Sequence, residues 1–69
     1  MNTFTLHTTN ENGIDNIKKY DNIEQALWDA YYLPENAKFR YIMKNGEVVM
    51  LPSTLHYIDM NKVARKLWL

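Results

Sequence analysis

Lys44-Asn45-Gly46-Glu47 constrains this chain more than any other stretch. Asn-Gly between two apolar runs signals a two-residue hairpin turn, because both central residues must take a positive φ and these two types do so at little cost. The flanking strands are expected at 38–44 and 47–51. Pairing outward from the turn sets Lys44 opposite Glu47, Met43 opposite Val48, Ile42 opposite Val49 and Tyr41 opposite Met50. One face then carries Phe39, Tyr41, Met43, Val48 and Met50 and is assigned to the core. The other carries Arg40, Ile42, Lys44, Glu47, Val49 and Leu51, a mixture of charges and aliphatics that wants partial cover.

Around this hairpin the other elements are read from periodicity. Residues 3–9 alternate, with Phe4 and Leu6 on one face and Thr3, Thr5 and His7 on the other, as in a half-buried strand. The Asn-rich stretch that follows, with Gly13, reads as a loop with a helical turn around Ile14 and Ile17. A hairpin at Asn12-Gly13 with a short second strand through Ile17 is the alternative. Asp21 and Glu24 resemble a capping box, so a helix is expected at 22–33, ended by Pro34. Pro52-Ser53-Thr54 breaks the hairpin's second strand, and residues 55–58 could add a short edge strand. Asp59 then caps a helix at 60–68, in which Met60, Val63, Ala64 and Leu67 form the apolar stripe. The expected fold is α+β, an antiparallel sheet packed on the 22–33 helix with a short C-terminal helix, in one domain spanning residues 1–69.

Composition narrows the function classes. The 69 residues are 46% hydrophobic, and eight basic side chains balance eight acidic ones, so the chain should fold without a global field toward nucleic acid or membrane. A chain this short buries only roughly 60% of the surface it exposes when unfolded. It contains no cysteine, which excludes disulfides and thiolate metal sites and fits a reducing cytoplasm. The N-terminal residues have neither a basic start nor a long apolar run, so no secretion signal or membrane span is expected.

Constellations that could carry chemistry are sparse. Ser53, His56 and Asp59 are the residue types of a hydrolase triad, but triads are assembled from distant segments on a scaffold that also supplies an oxyanion hole. A turn serine, a surface histidine and a helix cap explain them more simply. His7 and His56 are the two histidines and have no metal-ligand spacing, and the two glycines stand at separate turns, which excludes a phosphate-cradling loop. No cofactor, metal or catalytic residue is expected, and the chain reads as a non-enzyme.

What remains is a surplus of apolar surface. In the 22–33 helix, Ile23, Ala26, Leu27, Ala30 and Tyr31 form one stripe, while Trp28 and Tyr32 project from the far side among Glu24, Gln25 and Asp29. Either the last helix or the 10–21 loop covers these rings, or another molecule does. The expected partner-binding face is Trp28, Tyr32, Glu24, Asp29 and Trp68, since Trp and Tyr are favoured at interface hot spots. A homodimer would use the same surfaces. On this reading Trp28→Asp leaves the fold nearly intact and abolishes capture. The alternative is a nucleic-acid-binding or regulatory module in which Lys62, Arg65 and Lys66 of the last helix join Lys38, Arg40 and Lys44 of the hairpin. It ranks second because Phe39 and Tyr41, the rings a single strand could stack on, are assigned to the core.

In size, lack of cysteine and element order, the chain resembles the very small α+β proteins with which bacteriophages block host enzymes, anti-CRISPR proteins included. The resemblance rests on no motif and transfers no residue role. It implies a small inhibitor or modulator from a phage or mobile element, acting on a bacterial host protein.

Overall fold

The computed structural model describes residues 2–68 as strands β1 (Phe4–Asn10) and β2 (Asp15–Tyr20), helix α1 (Ile23–Tyr31), strands β3 (Ala37–Lys44) and β4 (Glu47–Met50), and helices α2 (Pro52–Leu55) and α3 (Met60–Trp68). The strands form one antiparallel sheet in the order β2-β1-β3-β4. This is the α+β fold expected. Phe4, Leu6, Tyr20 and Ile42 from the sheet meet Ala26, Leu27, Ala30, Leu55 and Val63 from the helices in the core. The helices cover one face of the sheet and leave the other open.

Residues 10–20 correct the expected loop and helical turn. They form the hairpin alternative, extended through Tyr20. Gly13 N–H donates to the Asn10 carbonyl at 3.0 Å, Gly13 takes φ 78°, and the Asn10 side chain accepts from the amides of Asn12 and Ile14 at 2.9 and 3.0 Å. A type I turn closed by a left-handed glycine is a common three-residue hairpin loop, and Gly13 meets its need for positive φ. Periodicity missed β2 because it is an edge strand with only Tyr20 buried.

The hairpin at Asn45-Gly46 forms as expected, with φ of 50° and 90° at its two central residues. Lys44 pairs with Glu47 and Met43 with Val48. Beyond them the expected register fails, because Ile42 pairs with Met50 and Val49 is left over. A second irregularity lies between β1 and β3, where His7 pairs with Tyr41 and Thr8 with Phe39, leaving Arg40 as the extra residue.

Each bulge inserts one residue and so switches the side-chain parity of its strand. Phe39, Ile42 and Met50 therefore face the core together, and Ile42 is fully buried. Tyr41, Met43 and Val48 face the open side. The core assignment of these three, and the partial exposure expected of Ile42, are corrected accordingly.

Two smaller corrections concern the helices. The cap of α1 is Asn22, whose side chain accepts from Gln25 N–H at 2.8 Å, in place of the Asp21 capping box. Residues 55–58 are not a strand. Pro52 occupies the first turn of α2, where its missing N–H costs nothing, and Leu55 is buried beneath it. Bonds from Tyr57 to Thr54 and from Ile58 to Leu55 continue the turn toward α3. Asp59 opens α3 as expected, accepting from Asn61 N–H at 3.0 Å.

Candidate functional site

Helices α1 and α3 lie side by side, and their seam gathers most of the residues singled out in the sequence. Trp28 is half-buried, packs on the core, and meets the Trp68 ring edge-on at 4.4 Å and the Tyr32 ring at 4.5 Å. Tyr31 stands edge-on to Tyr32 at 5.0 Å. Tyr31 belonged to the expected buried stripe, but it is half exposed at the helix end. The last helix therefore covers Trp28 only in part. Tyr32 and Trp68 remain 56% and 59% exposed, so the cluster presents ring surface outward around a fixed indole.

The two acids expected to orient a partner are occupied within the chain. Glu24 pairs with Lys66 at 3.6 Å across the seam. Asp29 accepts from the Tyr20 hydroxyl and from the Gln25 amide at 3.3 Å, with Lys18 Nζ at 3.7 Å. Burial raises the Tyr20 phenol above its ordinary range, and the Asp29 carboxylate adds to the shift through its hydrogen bond and its charge. Asp29 thus ties β2 to α1, which a sequence reading of the helix face alone cannot show.

At the other end of the seam a groove of about 410 Å³ opens between the start of α1 and α3. Ile23, Leu27, Ile58 and Val63 form its floor, and Glu24, Asp59, Lys62 and Lys66 its rim. Tyr57, which no sequence argument selected, stands 85% exposed beside it. Its only signal was an aromatic residue just before a helix cap.

The six cations of the nucleic-acid alternative do not form one patch, and Lys38, paired with Thr9, lies on the open side of the sheet. Lys62, Arg65 and Lys66 are exposed on α3, but Lys66 is paired with Glu24. Lys44 lies half-buried with its ammonium 5.9 Å from the Phe4 ring, on the helix side of the sheet. Arg40 lies on the open side, donating to Thr9 Oγ1 at 3.0 Å and facing Asp15 at 3.9 Å. The sheet separates it from α3.

Of the proposed triad residues, Ser53 falls on α2, His56 just beyond it with its ring edge-on to Tyr57, and Asp59 caps α3. Among the described residues no three His, Asp or Glu side chains gather as a metal-binding group, and no helix is long and apolar enough to cross a membrane. No protein-family model, curated protein or solved structure matches the chain.

Proposed function

We propose that this chain is a non-enzymatic protein-binding module that docks through the α1–α3 seam. The observation that supports this reading is the ring cluster at the seam's end, where Tyr32 and Trp68 keep more than half their surface exposed around half-buried Trp28. Leaving more than half of each ring in water forfeits on the order of 1–2 kcal/mol each, which a partner surface would recover. The groove continues the apolar strip, and the Glu24–Lys66 pair crosses it midway. In this reading the chain acts by occupying a surface of a bacterial host protein, as a small inhibitor or modulator does.

Because Trp28 also packs on the core, Trp28→Asp would damage the fold, and the test belongs to its exposed neighbours. Tyr32→Ala combined with Trp68→Ala should leave the far-ultraviolet circular dichroism spectrum near that of the wild type and cut capture of a bacterial partner from lysate at least tenfold. Undiminished capture by a folded double variant would rule out the seam.

A further inference from the structure

We infer that the open face of the sheet, on the side away from the helices, is a binding platform for single-stranded nucleic acid. It is a second surface, independent of the seam proposed above. The rings assigned to the core in the sequence, which had counted against such binding, are divided by the bulges. Phe39 goes inward and Tyr41 outward. On the open side Tyr41 stacks on His7 of the neighbouring central strand at 4.5 Å and 26° between planes. Ile17 of β2 pairs with His7 on its other flank, so an aliphatic chain, an imidazole and a phenol line up across three strands.

The charges lie above and below this row. Lys19 pairs with Thr5, two residues along β1 on one side of His7; Lys38 pairs with Thr9, two residues along on the other side, close to Arg40. At about 3.4 Å per residue, each level lies about 7 Å from the rings. Cations thus stand on both sides of the ring row along the strands, about 14 Å apart, a span of about two nucleotide steps that lets a base meet the rings while phosphates meet the cations. A pocket of about 160 Å³ opens beside the rings between His7, Ile17, Tyr41, Arg40 and Asp15. Planar bases stack on such rings whatever their sequence, while flanking cations hold the backbone.

Charge complementarity selects this occupant over a second copy of the chain. Lys19, Lys38 and Arg40 face outward with Asp15 as the one acid on the strands of this face, and Arg40 already neutralises Asp15. Two copies meeting here would bring net positive surfaces together, whereas a polyanion is attracted. The overall balance of charges hides this sidedness.

Fluorescence anisotropy with labelled oligo-dT and oligo-U at low salt tests the inference. Binding should weaken with salt at a log–log slope of about −1.4, as expected for about two phosphates held by Lys19 and Lys38 on a single strand. Tyr41→Ala should weaken it about tenfold or more, Tyr41→Phe should restore it, and Lys19→Glu should weaken it as well. A duplex, whose bases are already paired and stacked, should compete poorly. His7→Ala and Arg40→Ala read the same surface should Tyr41→Ala fail to fold. The Tyr32 and Trp68 variants should bind oligonucleotide like the wild type.

Three results would overturn the inference. One is no binding at low salt. Another is binding that survives changes at Tyr41, His7 and Arg40 but is lost on Lys62→Glu with Arg65→Glu. The third is a dimer in light scattering that Tyr41→Ala dissolves.

Discussion

Ile42 and Met43 are adjacent in the chain, yet the sheet assigns them opposite surroundings. Ile42 is fully buried, whereas Met43 lies half-buried on the open face. Truncating a buried isoleucine forfeits its transfer free energy and leaves a cavity, about 2–5 kcal/mol in all. Ile42→Ala should therefore remove much of the stability of so small a domain, while Met43→Ala costs about 1 kcal/mol or less. Urea unfolding of the two variants gives the comparison, and equal losses would contradict the parity of β3. Alternation alone ranks this pair the wrong way round. It fixes which residues alternate, but the bulge at Arg40 decides which set turns inward, and a bulge leaves no mark in hydropathy.

At the scale of elements, what could be read from the chain depended on whether an element's signal was local. The Asn45-Gly46 turn, the end of α1 before Pro34 and the start of α3 at Asp59 are settled by a few adjacent residues. Strand β2 depends on contacts with β1 and α1, so DNIKKY carries little pattern of its own. Its one buried residue is Tyr20, which donates to Asp29 of α1.

That contact has a pH dependence. The phenol's pKa is raised in the folded protein, so its contribution to stability is complete below its ordinary value near 10 and is lost as pH rises above it. In an absorbance titration one of the five tyrosines should resist ionisation until the protein unfolds. Tyr20→Phe should flatten the alkaline loss of stability and cost about 1 kcal/mol at neutral pH. Five tyrosines ionising together below the unfolding transition would show that the contact is absent.

Across the whole molecule, the surplus of apolar surface inferred from the sequence is reduced by the structure to two places on opposite sides. The ring cluster on the seam was legible in part, because Trp28 and Tyr32 follow from helix geometry, while the docking of the last helix beside them was one of the covers left open. The sheet face was not legible, since it combines residues from three strands under a parity set by the bulge. Ile14 and Ile17, considered as cover for Trp28, lie 61% and 57% exposed on the hairpin.

The strand order also determines which event in folding is slow. Each hairpin joins neighbours in the chain and can close in about 1–10 μs, but an isolated hairpin is marginal in water. The central pairing of β1 with β3 closes across β2 and α1, and it brings Leu6 beside Ile42 in the core. The barrier is therefore expected at this long-range closure, whose loop entropy must be lost before its contacts are gained. In stopped-flow experiments Ile42→Ala should slow refolding as well as hasten unfolding, and a change confined to the unfolding rate would place the closure after the barrier. A chain whose turns are written locally is thus expected to have its rate set by a pairing that no local stretch encodes.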